Sequence, residues 1–133
     1  MSNSNMKVDE ERIQELAARP YQNELLEKAK KGNTIVYLGT GSGKTYIATM
    51  LIKDLRPQLV AGRKAVFLVS SVALVDQQAR HIRQTTGLSV GSYCGADGVD
   101  AWSPEKWREE VEGHQVLVLV HQVLCKSAYL RNI

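Results

Sequence analysis

Residues Thr34 to Leu55 restrict the fold most. Thr34-Ile35-Val36-Tyr37-Leu38 is an apolar, β-branched run that predicts a strand, Gly39-Thr40-Gly41-Ser42-Gly43-Lys44-Thr45 follows at once, and Ile47, Leu51 and Leu55 then recur at helical spacing. Glycines let the backbone turn so tightly that successive N–H groups point inward, while a helix N-terminus adds about half a positive charge. Such a loop suits phosphate. Lys44 supplies a mobile ammonium for β- and γ-phosphates, and the Thr45 hydroxyl suits a Mg²⁺ held beside them. The general spacing GxxxxGK[ST] asks for glycine at position 38, where this chain has Leu38. A plain glycine turn with an incidental lysine is the bland alternative, and the flanking strand and helix disfavour it.

The remainder alternates strands with helices. Ile13, Leu16 and Ala17 predict a helix from Asp9 to Ala18, which Arg19-Pro20 interrupts; Pro20 opens a second helix with Tyr21, Leu25 and Ala29 on one face, closed by a C′ glycine at Gly32. Ala65 to Val69 reads as a second strand, Ala73 to Thr86 as a helix and Leu88 to Val90 as a third strand. Ser103-Pro104 starts a helix to about Glu112, and Gln115 to Val120 is a fourth strand followed by a short helix. Strands that are apolar throughout, rather than at every second residue, belong to a parallel sheet with helices on both faces. The expectation is an α/β, doubly wound fold. With 133 residues the chain is sized for about one domain, residues 9–133, behind a frayed polar start over residues 1–8.

Charge decides little: 17 basic less 14 acidic residues leaves +3, which permits a phosphate-rich partner without requiring one. Val116 to Val120 is the longest aliphatic run, far short of the roughly 20 residues of a membrane span. The start lacks the apolar stretch of a secretory signal, so a cytoplasmic protein is expected. Cys94 and Cys125 form no CxxC pair, and neither they nor His81, His114 and His121 show metal-ligand spacing; two free thiols are expected.

TGSGKT after an apolar strand is similar to the phosphate loop of superfamily 2 helicases, and Arg19-Pro20-Tyr21-Gln22, ahead of it, resembles the Q motif of DExD/H-box proteins. Taken with RPYQNELLEKAKKGNTIVYLGTGSGKTYIATMLIKDL, AVFLVSSVALVDQQ, VGSY, WSPEKW and HQVLVLV, the chain resembles the amino-terminal helicase domain of the Dicer family, the ribonuclease III enzymes of RNA silencing. The likeness implies a RecA-like fold that binds ATP with Mg²⁺ through Arg19, Tyr21, Gln22, Thr40, Gly41, Ser42, Gly43, Lys44 and Thr45. Gln22 would read the adenine edge, Thr45 would hold the metal, and Lys44 would be the catalytic contact to the phosphates. It further implies double-stranded RNA as a partner, touched by Ser70, Ser71 and Gly91, and double-stranded-RNA-binding proteins as possible associates of a full-length parent.

Some residues keep two readings. Ser70 and Ser71 are an ordinary strand-to-helix cap or RNA-backbone contacts. Trp102 and Trp107 are a base-stacking platform or helix-to-sheet packing, and Arg80 and Arg83 are RNA-steering charges or a solvated helix face. Val120 stands where the family often places a threonine. The family's DExH carboxylates are not found before Ile133, which suggests an incomplete first RecA-like domain that does not turn over ATP alone and exposes apolar sheet surface. Two other functions compete: a non-catalytic nucleotide-, RNA- or partner-binding module, and another superfamily 2 helicase such as an innate-immune RNA sensor.

Overall fold

The computed structural model describes residues 19–39 and 43–132, so the helix expected over Asp9 to Ala18 and the chain before it lie outside the described residues. Contacts divide the chain into two compact units, residues 1–51 and 52–133.

In the first unit, helix α1 (Pro20–Lys31) begins at a proline whose missing N–H would be unpaired in any first turn. Gln22 and Leu26 are buried, flanked by half-buried Tyr21, Leu25 and Ala29, so the inward stripe is wider than the sequence suggests. The helix stops at Gly32 as expected, but with φ 168° and ψ −178° the glycine is extended rather than left-handed. The Thr34 hydroxyl explains the difference. It donates to the Gly32 carbonyl at 2.9 Å and lies 3.4 Å from that of Lys28, serving last-turn acceptors that a left-handed cap would otherwise satisfy.

The expected strand over Thr34 to Leu38 does not form. This segment joins no sheet, and Ile35 and Tyr37 are each 97% exposed. Apolar, β-branched composition favours extended backbone, but a strand also needs a hydrogen-bonded neighbour, and none of the described residues supplies one. Helix α2 (Lys44–Asp54) then starts at Lys44, with Ile47 and Thr49 buried.

The second unit is built on three parallel strands, β1 (Ala65–Val69), β2 (Val90–Tyr93) and β3 (Val116–Val120), in the order β1-β3-β2. Val116 lies opposite Ala65 on one side and Val90 on the other. β3 is buried along its whole length, the outcome its unbroken aliphatic run predicts for a strand covered on both faces. β1 is different. Val66 and Leu68 are each 49% exposed while Phe67 is partly buried, so one face of this edge strand is open, and it borders an apolar groove of about 440 Å³ with Leu117, Leu119 and Leu124. The expected exposed sheet surface is present.

Helix α3 (Val72–Thr86) lies against the sheet through Val75, Ala79, Ile82 and Thr86, which recur at helical spacing. Helix α4 (Pro104–Gly113) is capped as the sequence indicates, with the Ser103 hydroxyl accepting from Lys106 N–H at 3.2 Å. Short helices α5 (His121–Lys126) and α6 (Ala128–Arg131) follow β3. No helix among the described residues is long and apolar enough to cross a membrane.

β2 lies two residues beyond the expected Leu88 to Val90, because Ser89 is taken by other bonds: its hydroxyl donates to the Gly113 carbonyl at 3.1 Å and its N–H to Gln115 Oε1 at 3.2 Å. Gly91 is needed inside the strand, since a Cβ there would run into the Tyr93 ring. That ring anchors the aromatic residues: it meets Trp102 edge-on at 5.8 Å and Trp107 at 5.4 Å. Trp107 is buried, so packing rather than base stacking is its role. The Tyr93 hydroxyl donates to Glu110 Oε2 at 3.0 Å and lies 3.3 Å from His114 Nδ1. Burial, with the Glu110 charge and hydrogen bond adding to it, raises this phenol well above the ordinary value.

Ile82 is fully buried, so Ile82→Ala should lower the unfolding free energy by about 2–5 kcal/mol in urea melts followed by tryptophan fluorescence. Because the folded state raises the Tyr93 pKa, the contribution of its protonated phenol is complete below about pH 10 and is lost as pH climbs towards the folded value. In an alkaline absorbance titration Tyr93 should ionise well above the ordinary phenol range, and Tyr93→Phe should delete that late step; an unaltered profile would contradict the assignment.

Candidate functional site

Thr40, Gly41 and Ser42, the middle of the phosphate loop, lie outside the described residues. Both ends of the loop are described, and two side chains hold them.

Lys44 is the first residue of α2, and its ammonium reaches back to donate to the Leu38 carbonyl at 3.1 Å. The contact is exposed, so an anion of higher charge can compete for the ammonium without unpacking a core. Gly43 precedes the helix with φ +78°, in the left-handed region where a glycine meets no steric penalty. Its carbonyl accepts from Tyr46 N–H at 3.2 Å and from Gln22 Nε2 at 3.2 Å.

Gln22 is only 5% exposed. Besides the bond to Gly43, its Oε1 accepts from Arg19 N–H at 2.8 Å, closing the first turn of α1, while Arg19 Nη1 donates to the Tyr21 hydroxyl at 2.9 Å. Gln22 thus ties the start of α1 to the residue before α2. Sequence reasoning gave this amide to a nucleobase; in the structure its donor and acceptor are both engaged within the protein, and its first effect is to place the loop end. A Cβ on Gly43 would occupy the space of this amide.

Thr45 is half-buried at the second position of α2, and its carbonyl accepts from the Thr49 hydroxyl at 2.7 Å. The donor set at this helix start, an ammonium, first-turn N–H groups and a threonine hydroxyl, fits a polyphosphate and the hard Mg²⁺ ion that accompanies it.

A second candidate region belongs to residues 52–133. In a parallel sheet, ligands collect outside the carboxyl ends of the strands. Here Ser70 and Ser71 follow β1, Gly95 follows β2 and Gln122 follows β3, and together with Asp100 and Lys126 they line a groove of about 320 Å³. Ser71 occupies the N-cap position of α3, yet its hydroxyl makes no capping bond. The cap reading accounts for its place but not for its hydroxyl. Gly91 does not line this groove: it is buried inside β2, where a Cβ would collide with the Tyr93 ring. Arg83 also has internal work, with Nη2 donating to the Val90 carbonyl at 2.9 Å. Sequence reasoning missed Gln122, Lys126 and Asp100; reading the first residues after every strand would have found Gln122.

Cys94 is buried and Cys125 exposed, both as free thiols. Asp97 accepts from the Cys94 thiol at 3.1 Å and, with burial, raises its pKa. No group of three or more metal-ligating side chains occurs among the described residues.

The family model described as "Type III restriction enzyme, res subunit" matches residues 14–129. Endoribonuclease Dicer homolog 1 of Arabidopsis thaliana is 47% identical over 117 residues, which is 86% of this chain and 6% of that protein. Endoribonuclease Dicer homolog 2b of Oryza sativa subsp. japonica is 49% identical over 112 residues, 80% of this chain and 8% of that protein. Endoribonuclease Dicer of Gallus gallus is 46% identical over 110 residues, 79% of this chain and 6% of that protein. The chain therefore spans well under a tenth of the length of these relatives. Among solved structures, a hypothetical ATP-dependent RNA helicase from Sulfolobus tokodaii superposes with a TM-score of 0.56 at 22% identity, covering 87% of this chain and 34% of that one, a likeness of fold alone.

Gly43→Ala should lower thermal stability through both its positive φ and the collision with Gln22. Adding Gln22→Ala should relieve the collision and return part of the loss in circular-dichroism melts; a double variant that melts lower than the sum of the two single losses would contradict this contact.

Proposed function

We propose, from the premise that this chain belongs to the type III restriction enzyme, res subunit, family, that it is the ATP-binding portion of a Dicer-type, ATP-dependent RNA helicase. The parent acts on double-stranded RNA in RNA silencing, in the cytoplasm and together with double-stranded-RNA-binding proteins. One observation carries the reading: Lys44 stands at the start of α2 with its ammonium folded back on the Leu38 carbonyl, beside a Gly43 that Gln22 holds in place.

The chain's part in the chemistry is to bind and orient. Lys44 exchanges a neutral carbonyl partner for the phosphates, first-turn N–H groups of α2 donate to the same phosphate oxygens, and Thr45 offers its hydroxyl to the metal. The Thr45 hydroxyl would hold a Mg²⁺ ion, which would supply positive charge to offset that of the phosphates. Gln22 couples base recognition to the loop, because an adenine that draws on its amide draws on the group that positions Gly43. Binding without turnover is the activity of these 133 residues alone, since no paired carboxylates follow a strand in the sequence.

Lys44 is exposed and packs into no core. Lys44→Ala should therefore weaken Mg-ATP binding at least tenfold, about 1.4 kcal/mol, in calorimetric titrations while leaving the melting temperature unchanged. Equal affinity in the variant would overturn the nucleotide reading.

A further inference from the structure

The groove at the carboxyl ends of the strands contains a charge arrangement that the nucleotide reading leaves unused. Lys126, in the last turn of α5, has its Nζ 3.7 Å from Asp100 Oδ2, and both side chains are at least half exposed. The pair stands in the same groove as the uncapped Ser71 hydroxyl, Ser70 and Gln122. These donors come from the ends of two different strands, and the Asp100 carboxylate lines the same groove.

We infer that Lys126 contacts a backbone phosphate of bound RNA and that Asp100 holds this ammonium in reserve, competing with the phosphate for it. The inference rests on the proposed RNA helicase reading and adds to it a residue that sets affinity.

The physics favours exchange over a permanent bridge. An exposed pair at this separation is worth little, so an RNA backbone, whose neighbouring phosphates add to the attraction of the one that Lys126 meets, can displace the single carboxylate. The carboxylate left behind repels the incoming strand. Asp100 therefore lowers affinity in two ways, by occupying Lys126 and by facing the phosphate. The hydroxyls of Ser70 and Ser71 and the amide of Gln122 can donate to neighbouring phosphate or sugar oxygens, which carry no sequence information. Such contacts position the strand without reading it, as a protein that moves along RNA requires.

The test is a charge cycle on the 133-residue chain, read by fluorescence anisotropy with a labelled RNA duplex in a salt series. Lys126→Ala should weaken binding by about two- to fivefold and lower the salt slope by about one. Asp100→Asn should tighten binding by about two- to fivefold, and this gain should vanish in the Lys126→Ala background. A duplex DNA of the same sequence should respond to the variants by the same factors, because the phosphate is what Lys126 meets. Glu109→Gln, the same charge change on exposed α4, should have no effect. If the unaltered chain binds duplex RNA but both single variants leave the affinity unchanged, Lys126 has no such role and the RNA reading stands. A gain from Asp100→Asn that survives without Lys126, or that Glu109→Gln reproduces, would overturn the inference in favour of net charge. Failure of the unaltered chain to bind duplex RNA even at low salt would sink the RNA reading and the inference with it.

Discussion

Parallel pairing of β3 with a neighbour on each side is the interaction on which residues 52–133 depend. Val116 to Val120 has its backbone groups committed to β1 and β2 and its side chains buried on both faces. Five consecutive aliphatic residues satisfy such a position because no face of the strand meets water. Parallel order also sends all three chains out of the sheet at the same end, which is why residues far apart in sequence, Ser70, Gly95 and Gln122, open on one groove. The groove is a consequence of strand direction, and its polar lining comes from the short turns that each strand needs before its helix or loop.

The phosphate loop is organised by different means. Its ends are held by two side-chain bonds, Lys44 to the Leu38 carbonyl and Gln22 to the Gly43 carbonyl. Neither involves a sheet. The lysine bond is exposed and exchangeable, whereas the glutamine bond is partly buried, comes from a buried side chain and is braced by a second bond to Arg19 N–H. That contrast assigns the two residues different work. Lys44 can leave its partner for a ligand at small cost, while Gln22 gives up a satisfied buried amide if it turns to a base. Placement of the loop is thereby the use of this side chain that the fold already commits.

Much of this was legible in the residues. The glycine loop, the helix that begins at Lys44, the Ser103 cap and the aliphatic strands β1 and β3 all follow from local rules, because caps, helix periodicity and β-branched runs act over a few residues. The likeness to Dicer helicase regions was legible too, in motifs that run along most of the chain. Thr34 to Leu38 was not: its composition is that of a strand, but strand pairing is a long-range event, and composition is silent about whether a partner arrives. β2 shifted for a related reason, since side-chain bonds from Ser89 to Gly113 and Gln115 use residues more than twenty positions away.

Local residue order was enough to mark most helices and the apolar strands β1 and β3, and to bring an ammonium, backbone amides and a hydroxyl together at the start of one helix. These are properties of neighbours along the chain. It took the packed chain to show that Gly91 leaves room for the Tyr93 ring, that Gln22 spends its amide on Gly43, and that Lys126 pairs with Asp100 in a groove. Each of those outcomes is set by which surfaces are brought within a few ångströms, and distance in space is not written in the order of residues.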